Sequence, residues 1–364
     1  MSRVPFIEAR FLDPDETRIH IEHRLLNHQR KLREARLTCP KSDPDPEGAD
    51  PKLLIGEQTT RAITRRAKRL LERREAASGL SHLKREDRER LGALREGVAL
   101  VAITSEHRAD ELAASLHVEM PWMAPATEIV WQAMRRSVRE GWPGLRLPPL
   151  LLDGPPGIGK SHWARRLGAL LSAPVTVIEA TGESASFGVV GSQRGWGGAH
   201  PGRPIETVLQ TLVGNHPVIV VDEVEKAGTI TSNRGTAYGL TEGLLPLLEP
   251  LSARRWSCPH YQVKFDMSWV IWVMTSNDCS RLPAPLLSRC PPLRLQALTL
   301  TDLIGFARRQ GGARGLSETA LATLVEALEG APMRPHRLSL RTVIRLLDRA
   351  ADLQNAPTRH YCAG

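Results

Sequence analysis

The first third of the chain alternates apolar and polar positions with a period of three to four residues. Such spacing is typical of helices that bury one side. It predicts helices over approximately residues 15–37, 57–77, 85–102, 105–116 and 127–140. Asp15 stands where its carboxylate would accept hydrogen bonds from the free amides of the first helix. Residues 39–51 are rich in proline and aspartate and predict a linker.

From about residue 147 the pattern changes to short apolar runs separated by helical segments. The runs predict β-strands at residues 150–153, 175–178, 218–221, 269–274 and 292–295. Continuous apolar strands alternating with helices indicate an α/β fold with a parallel sheet that is covered on both faces.

Beyond residue 301 the pattern is helical again. Helices are predicted at residues 302–310, 317–328 and 340–353, and they are separated by Gly311, Gly312, Pro332 and Pro335. We therefore predict three regions, which are a basic helical N-terminal region (1–110), a large α/β region (111–300) and a helical C-terminal region (301–364).

The composition is that of a globular protein and excludes several other classes. Apolar residues make up 41% and charged residues 24% of the 364 positions, which is ordinary for a chain of about two domains. No apolar run approaches the length that crosses a membrane, and the N-terminus lacks the apolar stretch of a secretory signal. The five cysteines are scattered and odd in number, which favours free thiols in a reducing cytoplasm over disulfides or a zinc site.

The net charge of +9 is concentrated near the N-terminus. Residues 61–95 hold twelve basic and five acidic side chains, and seven of the basic ones fall within residues 61–74. At helical spacing Arg61, Arg65, Lys68 and Arg69 share a face, as do Arg66, Arg69 and Arg73. Such a face would neutralise phosphates, although no aromatic residue is interleaved for base stacking. The alternative is a solvated helix, or one that pairs with an acidic partner.

Residues 154–161 read GPPGIGKS and match the phosphate-binding pattern G-x-x-x-x-G-K-[ST]. A predicted strand precedes this loop and a predicted helix follows it, which is the setting that the pattern requires. Its glycines let successive backbone amides point inward, and the following helix adds its positive N-terminal end. We expect Lys160 to reach the β- and γ-phosphates of a nucleotide and the Ser161 hydroxyl to ligate Mg²⁺.

Two further apolar runs end in residues that phosphate chemistry uses. One run leads into Asp222 and Glu223, and Asp222 lies 62 residues after Lys160. We expect Asp222 to hold Mg²⁺ and Glu223 to polarise the attacking water. The run 269–274 leads to Asn277, which would contact the γ-phosphate or the attacking water, or alternatively would cap the next turn.

Together these segments resemble the AAA+ ATPases, and more narrowly the ATPase module of the Lon protease family. The likeness is carried by DEVEK at 222–226, GGAHPG at 197–202, LLPLLEP at 244–250, HY at 260–261, FDMS at 265–268 and LPAPLLSR at 282–289. It extends over roughly residues 116–348. The resemblance implies an AAA+ module with a parallel five-stranded sheet and an all-helical lid. It also implies ATP and Mg²⁺ as ligands and a hexameric ring.

The resemblance further implies roles for individual residues. The nucleotide would be bound by Gly154, Pro155, Pro156, Gly157, Ile158, Gly159, Lys160, Ser161, His162, Asp222 and Arg341. Asn277 falls on the position called sensor 1. Arg289 falls on the arginine finger, which reaches the ATP of a neighbouring subunit, and Arg281 is the alternative.

Two more positions follow from the same resemblance. Arg341 falls on sensor 2 at the start of a lid helix, with Arg337 and Arg345 as alternatives. Trp196 falls on the loop that lines the central pore, and the glycines around it leave a single large side chain to grip a substrate.

The chain departs from Lon after its lid. Lon continues into a protease domain with a Ser–Lys pair, whereas fifteen residues follow Arg349 here, so we expect no peptidase activity. The leading hypothesis is a cytoplasmic homo-oligomeric ring that unfolds or remodels a protein substrate by threading it through a pore, with a separate partner or adaptor. The alternative is a DNA-acting AAA+ ATPase of a mobile-element or defence type that uses the basic N-terminal helices. A scaffold that only binds nucleotide has no need of Glu223, Asn277 and Arg289 together.

Overall fold

The computed structural model describes residues 3–13, 15–37, 56–181, 185–194, 198–211, 217–227, 229–231, 237–330 and 339–355. The chain folds as two compact units. One comprises residues 8–95, and the other combines residues 1–7 with residues 96–364. The boundary between the two units therefore lies at residues 95–96. The sequence predicts the end of the N-terminal region at residue 110, but the residues after 95 pack with the larger unit.

The smaller unit is built from helices. They are α1 (Arg18–Leu37), α2 (Glu57–Ala77) and α3 (Arg85–Gly92). Helix α2 packs against α1 and buries Ile63 and Ala67 one turn apart. Glu57 lies in the first turn of α2 and Arg74 in its last, the order that the helix dipole favours. Glu16, ahead of α1, forms an ion pair with Arg74 and so ties the two helices together.

The N-terminal residues fold with the larger unit. Strand β1 (Arg3–Val4) pairs antiparallel with β2 (Val98–Ala99). Phe6 lies against Phe265, with the ring centroids 5.7 Å apart. These contacts join the start of the chain to residues far along the sequence.

The helix predicted over residues 85–102 is wrong beyond Gly92. Helix α3 ends there, residues 93–97 are not helical, and residues 98–99 form β2. Gly97 has a φ of +76°, and a Cβ at this position would lie 2.2 Å from the carbonyl oxygen of Val4. A strand partner from the N-terminus therefore overrides the local helical pattern.

The larger unit continues with alternating helices and strands. In chain order they are α4 (Glu106–Glu119), α5 (Ala124–Arg139), β3 (Leu150–Asp153), α6 (Lys160–Leu170), β4 (Val175–Glu179), α7 (Ala185–Val190), α8 (Arg203–Gln210), β5 (Val218–Asp222), β6 (Thr229–Thr231), β7 (Ala237–Gly239), α9 (Leu240–Leu248), α10 (Pro250–Ala253), β8 (Trp256–Ser257), β9 (Lys264–Phe265), β10 (Ile271–Ser276), α11 (Ala284–Arg289), β11 (Pro292–Arg294), α12 (Leu300–Ala313), α13 (Glu318–Glu329) and α14 (Leu340–Gln354). Within the described ranges, no helix is both long and apolar enough to cross a membrane.

Five of these strands form one sheet in the order β11-β3-β10-β5-β4, and every pairing is parallel. All six residues of the central strand β10 are buried. Because parallel strands end at the same edge, β3, β5 and β10 bring Asp153, Asp222 and Ser276 to one edge of the sheet. The predicted α/β fold with a five-stranded parallel sheet is confirmed.

Among the described residues, two separate hydrophobic clusters stabilise this unit. The core of the sheet region includes the fully buried Leu116, Met134 and Trp163, and the Trp163 indole donates to Thr127 Oγ1 at 3.1 Å. The C-terminal helices α12, α13 and α14, called the lid below, bury their own cluster. It contains Leu303, Phe306, Ala307, Leu316, Leu324, Leu328, Leu340, Val343 and Leu347. The lid is therefore a subdomain with its own packing.

Helix α12 runs through Gly311 and Gly312, where the sequence predicts an interruption. A Cβ on Gly311 would lie 2.2 Å from Leu321 Cδ2 and 3.3 Å from Leu347 Cδ2. The prediction is wrong at this point, because the buried glycine lets α12 approach α13 and α14 closely instead of ending the helix. Pro332 and Pro335 lie outside the described residues.

Candidate nucleotide-binding site

Residues 154–161 form a tight loop between β3 and α6. Gly157 and Gly159 have φ values of +81° and +95°, in the left-handed region that favours glycine. A Cβ on Gly157 would lie 2.7 Å from Ser339 Cβ, and the Leu340 amide donates to the Gly157 carbonyl at 3.1 Å. The lid therefore closes directly on this loop. Helix α6 begins at the end of the loop, so its first-turn amides remain available to an anion.

Lys160 is held inside the loop by three acceptors. Its Nζ donates to the carbonyl oxygens of Gly154 at 2.6 Å and Pro155 at 3.0 Å, and to Asn277 Oδ1 at 2.9 Å. The residue is only 7% exposed. This burial lowers the pKa of Lys160, while nearby carboxylates, that of Glu225 foremost, oppose the shift. The ammonium is thus a buried cation that can exchange carbonyl partners for phosphate oxygens.

Ser161 and Asp222 meet at the end of β5. Ser161 Oγ donates to Asp222 Oδ1 at 2.7 Å, and the Thr275 hydroxyl donates to the same oxygen. Hydroxyl and carboxylate oxygens are the ligands that Mg²⁺ prefers. The two side chains predicted to hold the metal are therefore adjacent, and their donor atoms fit it.

Glu223 has a left-handed backbone, with φ +55° and ψ +49°. This conformation is uncommon outside glycine and is fixed here because the Glu223 amide donates to Thr275 Oγ1 at 3.0 Å. Its Oε2 accepts from Lys226 Nζ at 2.7 Å, and its Oε1 accepts from Asn277 Nδ2 at 3.1 Å. The hydrogen bond from Lys226, followed by that from Asn277, holds the pKa of Glu223 below its ordinary value. The carboxylate is therefore ionised at neutral pH.

The Asn277 side chain connects the lysine to the carboxylate. Its Oδ1 accepts from Lys160 and its Nδ2 donates to Glu223, while its backbone amide donates to Glu225 Oε1 at 3.1 Å. Sequence reasoning identified three members of this network and missed Lys226 and Glu225. Lys226 could have been found from its spacing, because the 3₁₀ turn after Glu223 brings residues three apart, here Glu223 and Lys226, to the same side.

These groups line a cavity of about 610 Å³ between the edge of the sheet and the lid. Predicted site residues on its wall are Pro156, Gly157, Gly159, Lys160, Ser161, His162, Asp222, Glu223, Asn277 and Arg341. Sequence reasoning missed the other wall residues, which are Arg165, Glu179, Thr181, Thr275, Phe306, Gln310, Arg314, Leu340 and Ile344. Most of these come from the lid, where no local motif marks them. The volume is typical of a small-molecule site.

The remaining loop residues support the wall from behind. The carbonyls of Gly154 and Pro155 accept from the lysine, as described above. The Ile158 side chain is buried, and its carbonyl accepts from Trp122 Nε1 at 2.8 Å. The Trp122 ring meets Phe306 of the lid edge-on, with the centroids 6.2 Å apart. Trp122 therefore links the loop to the lid.

The two candidate finger arginines are not among the residues that line this cavity. Arg289, at the end of α11, donates to the Pro285 carbonyl at 3.1 Å and lies 3.7 Å from a Glu249 carboxylate oxygen. Arg281 lies 3.5 Å from an Asp278 carboxylate oxygen. The structure thus brings neither arginine together with the loop residues of the same chain.

The candidates for sensor 2 and the pore loop are distributed differently. Arg341 lines the cavity, whereas Arg345, one turn further along α14, is exposed and is not among the wall residues. Arg337 and Trp196 lie outside the described residues. Their predicted roles stay predictions.

Comparison with known proteins finds similarity over the part of the chain that contains this site. Residues 150–296 match the model of the ATPase family associated with various cellular activities (AAA). The Lon protease of Desulfovibrio desulfuricans is 32% identical over 219 residues, which are 60% of this chain and 23% of that protein. The peroxisomal Lon protease homolog 2 of Zea mays is 31% identical over 187 residues, 51% of this chain and 20% of that protein. Lon protease 2 of Thermus thermophilus is 31% identical over 174 residues, 48% of this chain and 21% of that protein.

The fold and the site are consistent with an ATPase module of the AAA class. The family match covers the phosphate loop, Asp222, Glu223 and Asn277, which are the residues that build the cavity edge. Within that class the module resembles the Lon proteases, as the sequence motifs predict. The chain spans about a fifth of the length of these relatives.

Proposed function

We propose that this chain binds and hydrolyses Mg-ATP and, as a ring of identical subunits, uses the energy to unfold or remodel a polypeptide. The observation that supports this most is the continuous hydrogen-bonded path from Lys160 through Asn277 to Glu223. It connects the cation for the phosphates to the carboxylate for the water. A protein that only bound nucleotide would not need the last two residues.

Binding rests on positive groups that converge on the cavity. The amides at the start of α6 and the Lys160 ammonium would face the phosphates, and Arg341 adds a cation from the lid. Ser161 and Asp222 would hold Mg²⁺, which when bound neutralises charge on the phosphate oxygens. Each of these groups stabilises a polyanion in a cavity of nucleotide size.

Hydrolysis needs a group that orients the attacking water. Glu223 is ionised at neutral pH and accepts one described hydrogen bond on each oxygen, so each oxygen keeps a lone pair for a water proton. Asn277 fixes this carboxylate relative to Lys160. Proteins catalyse phosphoryl transfer mainly by such positioning and by electrostatic stabilisation, and little covalent chemistry is needed from the protein.

A ring is proposed because neither candidate finger arginine, Arg281 or Arg289, is among the described residues that line the cavity of its own chain. An arginine from a neighbouring subunit would stabilise the charge that develops on the γ-phosphoryl group. Arg289 supports this role, since it is outside its own cavity and is 34% exposed. A closed ring lets every subunit both give and receive such a finger, and we propose a hexamer.

The polypeptide as substrate rests on the resemblance to the Lon family and on Trp196 as the gripping side chain of the pore. Absence of peptidase activity in this chain and a cytoplasmic location also stay predictions. The alternative is an AAA+ ATPase that acts on DNA. The observation that favours the alternative is the exposed arginine side of α2, which is described in the next section.

The test is steady-state ATP hydrolysis at moderate salt, with unfolded casein, duplex DNA or single-stranded DNA added separately. Stimulation by casein, lost in Trp196→Ala but retained in Trp196→Phe, is the expected result, and basal hydrolysis should survive both changes. Release of casein fragments in the same reaction would contradict the prediction that peptidase activity is absent. Stimulation by DNA alone would favour the alternative, and an inactive wild-type protein would overturn both functions.

A further inference from the structure

Helix α2 presents a regular series of arginines to solvent. Arg61, Arg65, Arg69 and Arg73, called the arginine row below, are four residues apart, and all four are exposed. Residues four apart on a helix lie one above the other, so the row runs along the helix. With a rise of 1.5 Å per residue, it extends over roughly 18 Å.

Most of these charges have no partner among the described residues. Arg61 pairs with Glu57 at 3.2 Å. For Arg65, Arg69 and Arg73, and for the exposed Arg66 beside them, the described part of the chain provides neither an ion pair nor a side-chain hydrogen bond. Four exposed guanidinium groups therefore have no partner among the described residues.

The side of α2 that lies away from the arginine row packs against the rest of the smaller unit and so holds the helix in place. Ile63 and Ala67 are buried, and Arg74 is tied to Glu16. The exposed acidic side chains of α2 are Glu57, which pairs with Arg61, and Glu72, which lies 3.9 Å from Lys68. The positive groups therefore form a pre-ordered line and not a flexible tail.

We propose that the arginine row, with Arg66, binds the phosphate backbone of duplex DNA without sequence preference. A duplex carries about one negative charge per 1.7 Å of its axis, so a line of cations of this length meets phosphates throughout. This partner belongs to the N-terminal unit, and the inference does not rest on the proposed motor function.

The chemistry of the surface argues against other polyanions. Helix α2 has no aromatic residue, so it offers no stacking platform for single-stranded bases. A membrane-binding helix needs an exposed apolar side, but the apolar side of α2 is the buried one. A protein partner would use aromatic or aliphatic anchors, and the exposed side of α2 contains alanine as its only apolar residue.

The experiment is a titration of a short, labelled duplex with the full chain, without nucleotide, followed by fluorescence anisotropy over a series of salt concentrations. The test variant is Arg65→Gln/Arg69→Gln/Arg73→Gln. The matched control is Lys84→Gln/Arg85→Gln/Arg90→Gln, because these side chains are exposed in the same unit and give the same change in charge.

The test variant should bind the duplex at least about tenfold more weakly at low salt, and the slope of log K against log salt should shrink by about 2.7 for three lost phosphate contacts. The control should lose no more than about threefold, which is the effect of net charge alone. Arg65→Lys/Arg69→Lys/Arg73→Lys should keep most of the affinity, and unchanged circular dichroism and ATP turnover would show that all three variants are folded.

Three results would overturn the inference. One is an unchanged affinity in the test variant, and another is an equal loss in the control, since diffuse charge would then explain binding. The third is tighter binding to anionic lipid vesicles or to polyglutamate than to the duplex, measured at equal charge concentration.

Discussion

The larger unit and the smaller, N-terminal helical unit hold cationic side chains in opposite environments. Lys160 is 7% exposed and has three hydrogen-bond acceptors within the protein. On α2, by contrast, the Arg61 side chain is 69% exposed, and its neighbours Arg65 and Arg69 have no partner among the described residues. The larger unit therefore buries Lys160 beside a cavity, whereas the smaller unit exposes the arginine row to solvent.

The difference indicates what kind of anion each unit suits. A buried lysine among carbonyls and carboxylates is pre-ordered for a compact ligand that enters the cavity, and salt screens it little. A line of exposed arginines suits a long polyanion, and its contribution falls steeply as salt rises. The same residue chemistry thus serves a specific site in one unit and an extended surface in the other.

The largest effect is expected from Lys160→Ala. The change removes the buried cation, leaves its carbonyl acceptors unpaired and should weaken ATP binding at least about 100-fold, with loss of turnover. Isothermal titration with ATP and Mg²⁺ measures it, and Lys264→Ala, an exposed lysine on β9, is the matched control. Unchanged ATP affinity in Lys160→Ala would show that the lysine does not bind the nucleotide.

Arg289→Ala should come next, with turnover reduced by about 10³-fold and ATP affinity retained, as for other arginine fingers. Since the proposed finger would act on a neighbouring subunit, mixing Arg289→Ala with Lys160→Ala subunits should restore part of the activity. Mixed assemblies that stay inactive, or an Arg281→Ala variant that fails in place of Arg289→Ala, would contradict the assignment.

Glu223→Gln should lower turnover by about 10²–10⁴-fold while ATP still binds, because the amide cannot accept a water proton as the carboxylate does. Single-turnover hydrolysis separates this loss from product release. Full turnover in this variant would mean that another group orients the attacking water. Loss of ATP binding would mean that Glu223 instead stabilises the structure of the nucleotide site.

Much of this arrangement could be predicted from the sequence because its signals are local. The apolar runs predicted all five strands of the sheet, and the GPPGIGKS loop together with Asp222, Glu223 and Asn277 predicted one edge of the cavity. The contribution of Lys226 was missed, although it lies three residues from the carboxylate that it binds.

The failures have a common physical cause, which is a partner distant in sequence. Residues 98–99 form a strand because residues 3–4 pair with them, and no local pattern contains that information. Helix α12 continues through Gly311, where it packs so closely against α13 and α14 that their side chains leave no room for a Cβ. Phe306 and Arg314 reach the cavity only through the way in which the lid packs over the phosphate loop.

The smallest effect is expected from Glu57→Gln, which breaks the exposed pair with Arg61. Exposed pairs at this spacing contribute little to stability, so the melting temperature should change by no more than about 3 °C. Ile63→Ala is the control, because losing this buried side chain should cost about 2–5 kcal/mol. Since Glu57→Gln also frees a fourth arginine of the row, duplex binding should strengthen, by up to about threefold at low salt. A large fall in melting temperature with no gain in binding would mean that the charges of α2 are structural, and the contrast between the two units would then fail.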